Sequence, residues 1–260
     1  MTDGPHGLRK AKSSKSGQNT GVKDAEPSTA YPTAAALASS WDKDLASLEG
    51  KGIAEECLHY GVDVILGPGA CLKRNPLCGR NFEYFSEDPL LSGEMAASWI
   101  KGVQGKGVGA CLKHYLANNE ENFRNMSDSI IDPRALHELY LRNFEIAVKE
   151  GEPSCVMASY NAVNGVYLSE NKALLQGVLR KEWGFDGLVM TDWGGTHSRV
   201  KGIEAGVDLD MPGEVKANRS ELREELAKNP SFSVPLDTAV SHGGYFDPRP
   251  PFDSHRILFH

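Results

Sequence analysis

Five places in the chain join an apolar run to a turn or a polar cluster, and such junctions are where side chains can do chemistry. Gly67-Pro68-Gly69 closes the first run. Lys113-His114 closes the second and leads to Asn118-Asn119-Glu120. Met157 precedes Ser159-Tyr160-Asn161, and Thr191-Asp192-Trp193 runs into Gly194-Gly195. Asp208, Asp210 and Met211 close the last. Arg80 and Glu83 stand in a further polar stretch, Gly79-Arg80-Asn81-Phe82-Glu83, followed by Ser86-Glu87-Asp88-Pro89. A lysine, a histidine, amides, a tyrosine, an aspartate and a tryptophan at one mouth suit a polyhydroxylated ligand. Carboxylates and amides exchange hydrogen bonds with hydroxyls, and an aromatic ring packs on the C–H face of a sugar.

Each of these residues has a plain reading beside the chemical one. Asp192 is either a turn or helix-capping aspartate or a nucleophile, with Gly194 and Gly195 leaving room for substrate. Lys113 is either a buried cation paired to a carboxylate or a Schiff-base lysine of a lyase. Arg80 and Glu83 are either a loop ion pair or an arginine that reaches ligand oxygens and is oriented by the glutamate.

The elements that would position them alternate. A helical pattern runs from Pro32 toward Tyr60, then the run 61–66 reads as a buried strand. Helix 91–104 precedes strand 107–113. A helix capped by Asp132-Pro133 precedes strand 153–160, helix 170–182 precedes strand 187–192, and helix 198–205 precedes strand 207–211. Strand and helix in alternation give an α/β fold with a parallel sheet. Polar residues at the strand ends, and no Gly-x-Gly-x-x-Gly turn, favour a (β/α)8 TIM-like barrel over a doubly wound sheet. Residues 8–30 read as a surface loop. Residues 1–227 read as the barrel domain, and 228–260, rich in proline and histidine and without period, as an irregular tail.

Composition narrows the class. The 260 residues carry 40% hydrophobic and 24% charged side chains, which is ordinary for a globular protein and excludes a disordered chain. A net charge of −7 argues against nucleic acid as a partner. No apolar stretch reaches membrane-spanning length, and Met1 to Lys10 is polar and carries no apolar signal segment, so a cytoplasmic location and no membrane partner are expected. The cysteines, Cys57, Cys71, Cys78, Cys111 and Cys155, include no Cys-x-x-Cys pair and read as reduced, buried thiols. No spacing spells a metal site, and no cofactor is expected. Asn125-Met126-Ser127 and Asn218-Arg219-Ser220 match the glycosylation pattern.

Several of these segments together resemble glycoside hydrolase family 3, most closely its bacterial β-glucosidases. They are Thr2-Asp3-Gly4-Pro5-His6-Gly7-Leu8-Arg9, the Gly79–Glu83 and Ser86–Pro89 stretches, Lys113-His114-Tyr115 with Ala117-Asn118-Asn119, Met157–Asn161, and Val189–Gly194. The family's N-acetylhexosaminidases carry Lys-His-Phe-Pro-Gly-His-Gly where this chain has Lys113–Asn119. The resemblance implies a retaining, exo-acting β-glucosidase that releases terminal glucose through a glycosyl-aspartate. Asp192 would be the nucleophile. Asp3, Arg80, Lys113, His114 and Tyr160 would hold the hydroxyls of the terminal sugar, and Met157 and Trp193 would line the same subsite. A β-glucoside or short β-linked oligosaccharide would be the substrate. Another β-glycoside such as a xyloside, a sugar-binding remnant without activity and the Lys113 lyase are the alternatives.

A retaining hydrolysis needs a second carboxyl, as acid then base, about 5–5.5 Å from the nucleophile. Family members begin several tens of residues before the Asp-Gly-Pro segment and take the acid/base glutamate from a second domain. The barrel is therefore expected to be incomplete at its N-terminus, with that second domain absent and with exposed edges able to drive assembly into a homo-oligomer. Glu83 and Glu120 are read as orienting their neighbours, not as the acid.

Overall fold

The structure is a computed structural model that describes residues 1–12, 25–213 and 215–245. Its strands are β1 (Thr2–Asp3), β2 (Val64–Leu66), β3 (Gly109–Tyr115), β4 (Asp128–Ser129), β5 (Cys155–Ala158), β6 (Ala162–Val163), β7 (Val166–Tyr167) and β8 (Leu188–Thr191). Five of them form one parallel sheet in the order β1-β2-β3-β5-β8. A bridge from Met190 to Leu209 adds a sixth position beyond β8. The short β4, β6 and β7 make a separate three-stranded ribbon.

Side chains alternate along the parallel strands, as the pleat demands. Ile65, Leu112, Val156 and Val189 face the helices and pack with Ile53, Trp99, Ile100 and Phe144. Val64, Leu66, Cys111, Cys155, Met157, Leu188 and Met190 gather on the other face as their own cluster. Two apolar faces on one parallel sheet, helices outside and a packed lumen inside, are the layers of a TIM-barrel-like fold. All five cysteines are buried and unpaired.

The helices follow their local signals with one interruption. The expected helix from 32 to 60 is two, α1 (Ala34–Ala38) and α2 (Lys43–His59). Ser39 and Ser40 donate their hydroxyls to the Ala35 and Leu37 carbonyls, and the Asp42 carboxylate caps the Asp44 and Leu45 amides, so the chain stops and restarts. Asp88 caps α3 (Pro89–Gln104), with Pro89 in its first turn, and Asp132 caps α4 (Pro133–Ala135), which continues through wider turns into α5 (Arg142–Gly151). Ala173–Glu182 is likewise a run of wide turns, followed by α6 (Arg199–Ala205).

The tail differs from its expectation. Residue 227 is one short of the end of α7 (Val215–Lys228), and Ser233–Tyr245 is helix α8. Pro235 breaks no hydrogen bond there because it lies in the first turn. Ala239 is buried, and His242 reaches Asp208 at 2.9 Å, so the helix is docked on the barrel. The rest of the expected tail, 246–260, and loop residues 13–24 lie outside the described residues. Among the described residues no helix is long and apolar enough to cross a membrane.

Candidate active site

All eight residues singled out above, Asp3, Arg80, Lys113, His114, Met157, Tyr160, Asp192 and Trp193, line one cavity of about 680 Å³. It opens at the C-terminal ends of the parallel strands. Asp3 ends β1 and Met157 lies near the end of β5. Asp192 comes directly after β8, and its amide donates to the Ala158 carbonyl of β5 at 3.1 Å. Consecutive residues on a strand should face opposite sides, yet Lys113 and His114 both enter the cavity. The β3–β5 register shifts between Leu112 and Tyr115, which rotates the end of the strand. Asp3 is held by a tight loop, with Arg9 N–H donating to the Asp3 carbonyl at 3.0 Å and Tyr31 N–H to that of His6 at 3.0 Å. Gly4 has φ +110°, and a Cβ there would collide with the Gly7 carbonyl oxygen.

Four charges alternate through the cavity. Lys113 Nζ lies 2.7 Å from Asp3 Oδ1 and 3.4 Å from Glu83 Oε2. Glu83 also accepts from Arg80 Nε. Burial works to raise the Asp3 carboxyl, but the Lys113 charge and hydrogen bonds from Lys113 and Gly4 outweigh it and hold it at about 2. Burial likewise opposes ionisation of Glu83, and Lys113 and Arg80 overcome it, so its carboxyl is lowered. Burial disfavours the Lys113 ammonium, but Asp3 and Glu83 raise its pKa. Lys113 is therefore a locked ammonium, not the free amine a Schiff base needs.

His114 is neutral. Burial and the Arg80 and Lys113 charges push its pKa well below the ordinary value. Its Nε2 lies 2.7 Å from Arg80 Nη2, and arginine can only donate, so Nε2 accepts. The proton then sits on Nδ1, 3.0 Å from Tyr84 Oη. That tautomer explains the state of Asp192. Its Oδ1 accepts from the Trp193 amide at 2.7 Å. Its Oδ2 lies 3.4 Å from His114 Nε2, which has no hydrogen to give, and 3.9 Å from Arg80 Nη1. Oδ2 is buried and accepts no hydrogen bond among the described residues. The cation beside Asp192 is thus Arg80; Lys113 is engaged by Asp3 and Glu83. Tyr160 donates its hydroxyl to the Trp193 carbonyl at 2.9 Å, and burial and the Asp192 charge push its phenol up, so it keeps its proton.

Other strand-end residues are structural. Ser159 Oγ and Asn161 Nδ2 donate to the Leu116 carbonyl, and Asn119 donates to that of Leu72. Glu120 caps its own turn and accepts from Asn75, outside the cavity lining. Asp208 turns away from the mouth: its Oδ2 lies 2.7 Å from Arg180 Nη2 and accepts the Val189 amide. Gly194 has φ +78° and open space where a Cβ would be, so it serves the turn rather than clearance.

The sequence reading missed His6, Arg9, Phe82 and Arg124 in the lining. Arg124 stands 4.4 Å over the Tyr160 ring. His6 is spent on the fold, its Nδ1 3.4 Å from Glu49 and its Nε2 accepting the Ala34 amide. His6 and Arg9 stand in the Thr2–Arg9 segment and Phe82 in the Gly79–Glu83 segment singled out above, and Arg124 alone of the four carried no local signal.

Known proteins share the sequence and the fold of this chain. A family model described as "Glycosyl hydrolase family 3 N terminal domain" matches residues 12–234. The chain is 54% identical over 212 residues to the thermostable beta-glucosidase B of Acetivibrio thermocellus and 52% identical over 212 residues to an exo-alpha-(1->6)-L-arabinopyranosidase of Bifidobacterium longum. Each alignment covers 82% of this chain and 28% of the relative, so the chain spans little more than a quarter of their length. Its structure is similar to that of beta-glucosidase 3B from Thermotoga neapolitana in complex with alpha-D-glucose, with TM-score 0.87 and 44% identity, over 99% of this chain and 36% of that one. The chain therefore belongs to glycosyl hydrolase family 3 and carries that family's N-terminal domain.

Proposed function

We propose that this chain holds the nucleophile and the terminal-sugar subsite of a retaining, exo-acting β-glucosidase. The observation that carries the reading is Asp192 Oδ2, a buried carboxylate oxygen left without a hydrogen bond beside the Arg80 cation. Such an oxygen is free to attack an anomeric carbon. Attack forms the bond from Oδ2 to that carbon, the bond to the leaving oxygen breaks, and water later hydrolyses the glycosyl-aspartate. Asp3, Lys113, His114 and Arg80 hold the sugar hydroxyls, and their mutual ion pairs fix them before substrate arrives. Tyr160, Met157 and Trp193 complete the wall around the ring.

The proton for the leaving oxygen comes from outside this set. Asp3 and Glu83 are both lowered, so neither carries a proton at neutral pH. The chain by itself therefore cleaves glucosides with good leaving groups and is slow on alkyl glucosides. The buried, unpaired cysteines support work in a reducing compartment such as the cytoplasm. A second sugar, α-L-arabinopyranose, is kept because a 52% identical relative carries that name; it lacks the exocyclic hydroxymethyl of glucose.

Intact-mass spectrometry after incubation with 2-deoxy-2-fluoro-β-glucosyl fluoride tests the reading, since this reagent needs the nucleophile and a formed subsite but little acid. One added sugar, mapped to Asp192, is expected. No adduct on the folded protein would leave a sugar-binding domain without this chemistry.

A further inference from the structure

One five-residue segment, Arg80–Tyr84, reads both ring nitrogens of His114. Arg80 Nη2 stands 2.7 Å from Nε2 and can only donate to it. Tyr84 Oη stands 3.0 Å from Nδ1. A phenol can donate or accept, so this second contact depends on where the Tyr84 hydrogen goes. It goes to Cys71, whose sulfur takes the Tyr84 hydroxyl behind the cavity. Cys71 donates its own thiol to the His114 carbonyl at 3.1 Å, which leaves its sulfur to accept. Asn118 Nδ2 donates to Tyr84 Oη at 3.3 Å. The phenol oxygen thus has its hydrogen placed and one lone pair used, and the other lone pair faces His114 Nδ1. Tyr84, Cys71, Asn118 and His114 are all buried, so water does not relieve the choice. The Tyr84 and His114 rings meet edge to face with centroids 6.0 Å apart, a contact that a phenylalanine would make as well. Packing alone therefore does not call for the buried hydroxyl, which has to be desolvated.

We infer that Tyr84 is a positioning residue for the nucleophile: its hydroxyl holds the His114 proton on Nδ1 and so keeps Nε2 from donating to Asp192 Oδ2. This rests on the reading of Asp192 given above. Tyr84 does not line the cavity and acts only through His114. Asp192 Oδ2 lies 3.4 Å from His114 Nε2, close enough to take a hydrogen if the ring carried one there. The Tyr160 hydroxyl, the neighbouring donor, is spent on the Trp193 carbonyl. With the proton on Nδ1, Nε2 presents a lone pair to Arg80 and none of the described residues donates to Oδ2. With the proton on Nε2, the ring would meet Arg80 donor to donor and would bond the carboxylate instead. A hydrogen bond to an attacking carboxylate oxygen has to be broken before attack, and a charged acceptor holds its donor strongly.

Nitrogen NMR of the isotope-labelled chain, through long-range proton–nitrogen correlations, reads which ring nitrogen carries the proton; the signals lost in His114→Gln assign that ring. In the wild-type chain His114 should carry its proton on Nδ1, and a proton on Nε2 overturns the inference with no variant needed. In Tyr84→Phe the proton should move to Nε2. The rate of glycosyl-enzyme formation from 2-deoxy-2-fluoro-β-glucosyl fluoride, followed by intact mass, should then fall about ten- to a hundredfold, the scale of one hydrogen bond to a charged oxygen. In the His114→Gln background the same Tyr84→Phe change should alter the rate by less than about twofold, because no tautomer is left to set. A full further loss there, or an unmoved proton in a Tyr84→Phe protein with wild-type circular dichroism, makes Tyr84 a packing residue and overturns the inference. A proton that moves while the rate holds severs Tyr84 from the nucleophile and overturns it as well. No adduct on the folded wild-type chain would overturn the Asp192 reading itself, whichever tautomer the spectra show, and this inference with it.

Discussion

Two cavities of similar size lie in different parts of this molecule, and they treat charge in opposite ways. The one at the strand ends, about 680 Å³, draws Asp3, Glu83, Lys113, Arg80 and Asp192 into a continuous set of ion pairs around buried side chains. The other, about 800 Å³, lies between α6, the wide-turned helix 173–182 and α8. Its lysines, Lys172, Lys181 and Lys201, are exposed, and Lys201 meets Glu170 with its own side chain in solvent. Its one tightly held acid, Asp208, is spent on Arg180 and on His242 of the docked helix. The larger space is therefore a gap beneath a packed helix. What marks the smaller one as a site is the cost of desolvating its charges, which only a purpose beyond packing would retain.

The largest expected effect separates chemistry from binding. Asp192→Asn should lower turnover of an activated aryl glucoside by on the order of 10³-fold or more, because the attacking oxygen is removed. Turnover within tenfold of wild type would take the nucleophile away from Asp192 and blunt the contrast between the cavities.

Next comes stability. Lys113→Met removes the cation shared by Asp3 and Glu83, leaving Glu83 only Arg80, and should cost about 3–5 kcal/mol in urea unfolding. Lys201→Met in the other cavity breaks only an exposed pair and should cost under about 1 kcal/mol. Equal losses would mean that the two sets of charges are not different in kind.

A pH series sharpens the same point. Folded His114 resists a proton that the unfolded chain accepts near 6.5. Below that pH the unfolded state binds one proton more, so stability should fall by about 1.4 kcal/mol per pH unit. The Asp3 carboxyl, held at about 2 against an ordinary 3.8, adds a second loss as pH drops through that interval. His114→Gln should flatten the first phase and leave the second; an unaltered slope between pH 6.5 and 5 would contradict the neutral, buried histidine. Within the strand-end cavity the smallest effect is expected from Tyr160→Phe, which removes one hydrogen bond to the Trp193 carbonyl and should cost about 0.5–1.5 kcal/mol.

Much of this was legible in the sequence, unevenly. The strands were visible because both faces of a parallel sheet are apolar, and their polar ends pointed at the mouth. The eight cavity residues sit in local motifs that a linear reading can find. The pairing of Glu83 with Lys113 was not, since thirty residues separate them and only the β3 twist brings them together. Nor was the tautomer of His114, which depends on Arg80 and Tyr84 arriving from another loop. Arg124 gave no signal, because a charged residue in a loop looks like surface. Pro235 hid α8 by suggesting a break where a first turn tolerates it, and Asp208 misled because a strand-end aspartate can face backward into a fold as readily as outward.

The strand that carries Asp3 is two residues long and, among the described residues, stands at one end of the parallel order, its ladder running through Thr2–Ile65 and Asp3–Leu66. So short a segment can open without unfolding the rest. Any such opening would have to break the Lys113–Asp3 pair, and the apparent affinity of the proposed subsite would be the intrinsic affinity scaled by the closed fraction. Ligand, in turn, should slow amide exchange along residues 2–9 more than anywhere else in the sheet.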